Sequence, residues 1–266
     1  MEQTQQIEMI KKNPQAILLM DSPTEEMKLL ALNGNGLLLE YIDHPTSKMQ
    51  EVAISNNGLA IKFINNPTED MMMKAINARW NNLEYIKNPT NRVIELAINQ
   101  AGWAIKYVKN PSEELQLLAV RKNYDSIMFI KEPYASVQEE SVTISYDALR
   151  YIKSPTYKTE LISIKKNEKA INFIKDLNKS KIIDFLKVNI LVVKYVMKEI
   201  TKSDLEEVLK EVLSKEEVEE NYVRDFLNYS TIEDSPINQI DKLMLIYKYG
   251  SKKAKKIAVD EKLKMK

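Results

Sequence analysis

Proline recurs along this chain with a fixed period, and no other feature of the sequence constrains the fold as strongly. Seven prolines stand 22 residues apart. A period between about 20 and 50 residues is typical of proteins built from stacked units, so the other positions are expected to follow it. The prolines are Pro23, Pro45, Pro67, Pro89, Pro111, Pro133 and Pro155.

Other positions of the unit keep the same period. With the proline as position 1, position 9 is small, positions 10, 17 and 20 are aliphatic, and position 19 is aromatic in all seven units. Residues 1–22 and 177–198 keep the phase without the proline, as degraded terminal units of a repeat array do. We therefore predict about nine 22-residue units over residues 1–198. The position-19 residues are Tyr41, Phe63, Tyr85, Tyr107, Phe129, Tyr151 and Phe173.

Each unit is predicted to form two short helices. The residue before proline, such as Ser22 or Asn66, suits an N-cap, and proline suits the first helical position. The first helix then runs to about position 12, where a glycine such as Gly36 suits a left-handed helix end. The second helix covers about positions 15 to 21. The predicted fold is all-α: a right-handed solenoid of stacked two-helix repeats, similar to HEAT and TPR superhelices.

The C-terminal region 199–266 loses the period but keeps helical patterning. Residues 203–234 hold 11 acidic and 3 basic residues, a net charge of −8. Ser235-Pro236 repeats the cap-plus-proline signal, and residues 252–266 carry seven lysines against two acids, a net charge of +5. We predict a helical C-terminal cap on the solenoid, ending in a basic helix.

Composition excludes several classes of chemistry. The chain has no Cys and one His, with a net charge of +1, so thiolate sites, thiol nucleophiles and disulfides are excluded. No apolar run reaches the roughly 18 residues of a membrane span, and the polar start is no signal peptide. We therefore expect a cytoplasmic protein that contacts no membrane. No catalytic, metal-binding or cofactor-binding motif is present, and the repeat assigns His44 to a helix cap.

Three columns of the repeat, at positions 18, 19 and 21, carry side chains that could meet a partner. At position 18, charges alternate between successive units, which predicts interlayer ion pairs, and the position-19 rings are predicted to pack between successive second helices. Position 21 carries a lysine in five successive units. The lysines either complement the ends of the second helices or form a basic stripe for an acidic partner or a phosphate backbone. This lysine column comprises Lys87, Lys109, Lys131, Lys153 and Lys175.

The repeat resembles a known class of sequences. Units such as NPTEDMMMKAINARWNNLEYIK and NPSEELQLLAVRKNYDSIMFIK resemble tandem short α-helical repeats of unknown function that occur in phage, giant-virus and bacterial proteins. The resemblance covers about residues 1–198. It implies an interaction scaffold, with no catalytic residues to carry over, and a phage origin.

Three functions remain open at this point. The leading hypothesis is a non-enzymatic scaffold that binds another protein, such as a phage-encoded inhibitor that sequesters a host defence protein. The alternative is nucleic-acid binding through the lysine column and the basic tail, and a third hypothesis is an enzyme with an unrecognised carboxylate site. Besides the lysine column, the candidate partner-binding residues are Trp80, Trp103, Arg121 and Lys122. They stand at positions that vary between units, or they differ from the residue types usual at their position. No cofactor is predicted.

Overall fold

The computed structural model describes residues 3–229 and 240–264, and every regular element in those two ranges is a helix. This confirms the predicted all-α solenoid of stacked repeats. The chain divides into two compact units, Met1–Val137 and Gln138–Lys266. The predicted boundary between residues 198 and 199 remains a prediction.

Each repeat n consists of an α-helix, αn, followed by a 3₁₀ helix, ηn. The first unit contains α1 Gln3–Lys12, η1 Pro14–Leu19, α2 Glu25–Gly34, η2 Gly36–Tyr41, α3 Ser47–Asn56, η3 Gly58–Phe63, α4 Glu69–Ala78, η4 Trp80–Tyr85, α5 Asn91–Gln100, η5 Gly102–Tyr107, α6 Glu113–Lys122 and η6 Tyr124–Phe129. Helix α7, Ala135–Ile144, runs across the division. The second unit continues with η7 Tyr146–Tyr151, α8 Tyr157–Lys166, η8 Glu168–Phe173, α9 Lys179–Val188, η9 Ile190–Val192, α10 Val193–Val196, α11 Lys202–Leu213, α12 Glu220–Asn228, α13 Lys242–Tyr249 and α14 Lys252–Lys264.

The buried positions are the ones that the period predicts. In repeat 4, Ala75 at position 9, Ile76 at position 10 and Leu83 at position 17 are all buried. Within the first unit α4 packs on α5, and η4 packs on η5. An alanine at position 9 lets the neighbouring backbones approach closely, while the aliphatic positions remove apolar surface from water.

The α-helices begin two residues later than the sequence predicted, so the predicted N-cap is wrong. In α2 to α6 and α8 the cap is the Thr or Ser after the proline; in α4, for example, Met71 N–H donates to Thr68 Oγ1 at 3.3 Å. The N-cap of α4 is thus Thr68 and not Asn66, the residue before Pro67. His44, also predicted to be a cap, instead has a left-handed backbone with φ 49°. The proline, with its fixed φ and no N–H, is therefore the rigid residue before the cap and not the first helical residue.

The second helix is also different from the prediction. It is a 3₁₀ helix over positions 14 to 19, and none of the described glycines has a positive φ. Asn35 or Asn57 begins it in extended conformation, and each side chain accepts a hydrogen bond two residues on. The glycine is needed because the next repeat approaches closely: a Cβ on Gly102 would lie 2.3 Å from the carbonyl oxygen of Ala119.

In the second unit, the predicted helical cap is present on the last repeat. Helix α11 packs on α9, and α12 packs on η9. The buried Tyr222 hydroxyl donates to the carbonyl of Leu186 at 2.9 Å, which ties α12 to α9. The Ser235-Pro236 signal lies outside the described residues.

The start of α11 is held by a capping box and an ion pair. Thr201 Oγ1 accepts from the Asp204 backbone N–H, and Asp204 Oδ2 accepts from the Thr201 N–H at 2.8 Å. Lys179 Nζ lies 2.9 Å from Asp204 Oδ2. The hydrogen bond from Lys179, followed by those from Thr201, lowers the pKa of Asp204 to about 2.

Thr68→Ala is expected to lower the free energy of unfolding by about 1 kcal/mol, because it removes the N-cap of α4. Asn66→Ala, at the position that the sequence predicted as the cap, is the control and should change it by less than about 0.5 kcal/mol. Urea denaturation followed by circular dichroism measures both. A loss in Asn66→Ala that equals the loss in Thr68→Ala would contradict the assigned cap.

Asp204→Asn is expected to lower the thermal midpoint near neutral pH. The folded-state pKa of about 2 lies below the unfolded value of about 3.9, so the carboxylate stabilises the fold above pH 3.9 and loses that effect as the pH falls through 2. The difference between wild type and variant should therefore shrink between pH 4 and pH 2 in thermal melts. Asp260→Asn, at an exposed acid on α14, is the control and should leave the thermal midpoint near neutral pH nearly unchanged.

Candidate functional site

The 3₁₀ geometry decides which side chains of the second helices face solvent. With about three residues per turn, residues i and i+3 lie one above the other. In η5, Gly102 and Ile105 form the buried side, whereas Trp103 and Lys106 form an exposed side. Positions 15 and 18 of each repeat are therefore on one outward row.

Aromatic side chains cluster on and next to this row in η4, η5 and η6: Trp103 belongs to it, Tyr85, Tyr107 and Phe129 follow it at position 19, and the partly buried Trp80 stands at position 14. Tyr85 is 42% exposed, Trp103 39% and Phe129 38%. We call the following seven residues the aromatic face: Trp80, Tyr85, Trp103, Lys106, Tyr107, Met128 and Phe129. Both tryptophans of the chain belong to it.

Lys106 is the centre of the aromatic face. Its Nζ lies 4.6 Å from the ring centroid of Tyr107, 5.5 Å from that of Trp80 and 5.9 Å from that of Phe129. The Trp80 and Tyr107 centroids are 6.4 Å apart with the rings tilted by 39°. The ammonium is thus attracted by the faces of three rings from three repeats.

Two hydrogen bonds between repeats orient the rings. The Tyr107 hydroxyl donates to Glu84 Oε2 at 3.1 Å, and Trp103 Nε1–H donates to Asp125 Oδ1 at 2.9 Å. Each bond joins one 3₁₀ helix to its neighbour, so the rings are held in place before any partner arrives.

The predicted ion pairs along position 18 are wrong. No ion pair joins Glu84 to Lys106, or any other two position-18 residues, in the part of the chain that the structure describes. The bases instead lie over position-19 rings: Lys62 over Phe63 in the first unit, and Arg150 over Tyr151 in the second. The position-19 rings form a half-exposed rim of this kind rather than a layer packed fully between the second helices.

The lysine column lies beside these rings. Position 20, such as Ile86, is a buried residue in extended conformation, and its neighbours Tyr85 and Lys87 are both exposed. Lys109 and Lys131 are exposed in the same way, and over residues 3–229 and 240–264 no ion pair involves them or Lys87. Because these lysines follow the extended residue, they stand beyond the last turn of the 3₁₀ helix. In the second unit, Lys153 and Lys175 are exposed at the equivalent positions.

The remaining candidates lie elsewhere in the repeat. Arg121 and Lys122 are exposed in the last turn of α6, at the junction between α6 and η6. This junction is at the opposite end of the repeat from the lysine column. The structure therefore places Trp80 against Lys106 and Tyr107, and Trp103 on the same exposed row as Lys106. Arg121 and Lys122 belong to the last turn of α6 and not to this group.

Sequence reasoning missed Lys106 as a central residue, because its alternation with Glu84 indicated an ion pair. It also assigned Tyr85, Tyr107 and Phe129 to packing. The signal that could have found the site is the spacing of Trp80 and Trp103, 23 residues apart. That spacing is one more than the repeat, so the two indoles fall in neighbouring repeats.

A comparison with known protein families, curated proteins and solved structures finds no match to this chain. Within residues 3–229 and 240–264, every helix is too short or too polar to cross a bilayer. The same residues contain no group of three or more His, Asp or Glu side chains placed to hold a metal ion.

Trp103→Ala is expected to leave the fold nearly intact. Its indole is partly in solvent and makes one hydrogen bond, so the free energy of unfolding should fall by about 1 kcal/mol. Leu83→Ala, on the buried side of η4 where Leu83 is 2% exposed, should cost about 2–5 kcal/mol. Urea denaturation compares the two; a cost for Trp103→Ala as large as that for Leu83→Ala would show that Trp103 serves the core.

Proposed function

We propose that this protein is a non-enzymatic scaffold that binds another protein through the aromatic face. The observation that carries this proposal is that both tryptophans, three further rings and Met128 are exposed or partly exposed on three adjacent 3₁₀ helices. Aromatic residues and methionine are enriched in the cores of protein interfaces, and tryptophan and tyrosine are frequent hot spots.

The fixed orientation of the rings supports the same proposal. Ordering a rotamer-rich side chain on binding costs about 0.5–1.5 kcal/mol. The hydrogen bonds from Tyr107 to Glu84 and from Trp103 to Asp125 already restrain two rings. The side chains that a partner contacts here are therefore largely ordered when the protein folds, so less conformational entropy is lost on binding.

The proposed role in the cell rests on the resemblance to short helical repeats of phage and bacterial proteins. A scaffold of this kind, acting in the cytoplasm, suits an inhibitor that sequesters a host protein. The non-enzymatic reading rests on the sequence, which has one His, no Cys and no motif for a nucleophile with its base.

A second candidate function, nucleic-acid binding, is favoured by the lysine column. Lys87, Lys109 and Lys131 are exposed next to aromatic rings, and single-stranded nucleic acids bind grooves that combine cations with rings. The near-neutral net charge of +1 weighs against a broad phosphate contact.

Affinity capture from a lysate of the source organism tests the leading proposal. The wild-type chain should retain a specific protein that the double variant Trp103→Ala/Phe129→Ala loses, because two rings of the aromatic face are removed. Tyr134→Ala is the matched control, since Tyr134 is an exposed aromatic residue of the first unit outside the aromatic face, and it should retain the protein. Equal capture by the wild type and the double variant would contradict the proposed surface.

A further inference from the structure

We propose that the aromatic face binds an extended peptide segment of the partner, in which one carboxylate is set on Lys106 and apolar side chains three residues away on each side contact the rings. This inference rests on the proposed scaffold function and names the chemistry of the partner. Four observations lead to it.

The first observation is the state of Lys106. Its ammonium lies over three rings, and among the described residues it makes no ion pair and no hydrogen bond to a carboxylate. Lys106 is exposed, so an incoming anion can reach its ammonium, and the ring faces around it hold that ammonium in place. The structure therefore presents one pre-positioned positive charge among aromatic rings.

The second observation is the charge balance around Lys106. Lys87, Lys109 and Lys131 each stand two residues after a position-19 ring, and Glu84, Asp125 and Glu132 belong to the same stretches of sequence. With Lys106, these seven side chains carry a net charge of +1, from four lysines and three acids. A polyphosphate would bring a charge at every step and meet the three acids. Of the four lysines, only Lys106 lies over aromatic rings among the described residues, so it is the positioned cation that a segment with a single carboxylate would meet.

The third observation is that an acid on each neighbouring 3₁₀ helix is already engaged. Glu84 accepts from the Tyr107 hydroxyl and Asp125 accepts from the Trp103 indole. These bonds direct the two carboxylates at protein donors rather than at Lys106. Lys106 is therefore left for a carboxylate that comes from outside the chain.

The fourth observation is the spacing of the repeats. Neighbouring helices pack at about 8–10 Å, and three residues of extended chain or one turn of polyproline II cover about 9–10 Å. Tyr85, Lys106 and Phe129 stand in three successive repeats. An extended chain that crosses the repeats therefore meets one of these three side chains at every third residue. The expected segment has Asp or Glu in its centre and one apolar residue three positions before it and another three positions after it.

A groove next to Tyr85 adds an anchor point for one apolar residue. It has a volume of about 270 Å³ and a mixed lining, in which Leu59, Ala78 and the Tyr85 ring supply the apolar part and Arg79 with three asparagines the polar part. Met128, on the other side of Lys106, is half exposed and adaptable in shape. Both ends of the segment therefore meet apolar or mixed surface, while the centre meets the cation.

A displayed library of random twelve-residue peptides, selected on the wild-type chain, tests the proposal. The enriched peptides should carry Asp or Glu with apolar residues three positions before and after it. Binding of a synthetic enriched peptide can be followed by tryptophan fluorescence, because both tryptophans belong to the aromatic face.

Lys106→Met keeps the apolar stem and removes the charge, so it should weaken that peptide about 10- to 100-fold, as expected for a hydrogen bond to a charged group. Replacing the acid of the peptide by its amide should weaken binding to a similar extent. Lys74→Met, at an exposed lysine of α4 away from the aromatic face, is the matched control and should leave the affinity unchanged.

Enriched peptides that lack an acid, an absence of enrichment, or a peptide affinity unchanged by Lys106→Met would each overturn the proposal. So would a single-stranded oligothymidylate of about 20 nucleotides that binds more tightly than the peptides and is lost in Lys87→Glu/Lys109→Glu/Lys131→Glu. If the peptides fail while Trp103→Ala/Phe129→Ala still abolishes capture, the partner chemistry is wrong and the scaffold function stands. If capture is also unaffected, the scaffold function fails as well.

Discussion

A 3₁₀ helix of six residues has too few hydrogen bonds to persist in water by itself, and a ten-residue α-helix is marginal at best. Packing of each repeat on the next is therefore the interaction on which the whole structure depends. The small residue at position 9 makes this packing possible: Ala53 and Ala119 bring their backbone carbonyls against Gly36 and Gly102 of the preceding repeat. An added methyl group at either glycine would push two repeats apart.

Polar side chains reinforce this packing where helix ends leave backbone groups without partners. Asn56 accepts from the N–H of Gly36 and donates to the carbonyl of Asn33, both in the preceding repeat. Asn123 accepts from the N–H of Gly102 in the same manner. A repeat with a short second helix has many such ends, and a single amide that serves two of them removes much of the cost of burying them.

The same arrangement produces the aromatic face. Because position 17 and the start of the 3₁₀ helix supply the contact between repeats, positions 15 and 18 face solvent and vary between units, while position 19 stays aromatic and is exposed or half-buried. In repeats 4 to 6 these positions carry rings, Met128 and Lys106, and the contact of Lys106 with Phe129 runs from one repeat to the next. A surface built across repeats is rigid for the same reason that the fold is stable, which suits a binding site for an extended segment.

The sequence by itself determined the period, the phase, the helical character and the buried positions, because each of these depends on contacts between a repeat and its immediate neighbours that recur every 22 residues. It did not reveal that Thr68 rather than Asn66 caps α4. It also did not reveal that residue 102 must be glycine because a neighbouring carbonyl lies close to it, and not because its backbone is left-handed. Only the tertiary structure decided that Lys106 lies among three rings and not beside Glu84. The two arrangements have the same residues at the same spacing, and the choice between them depends on side-chain directions that packing between repeats sets and that a linear pattern does not contain.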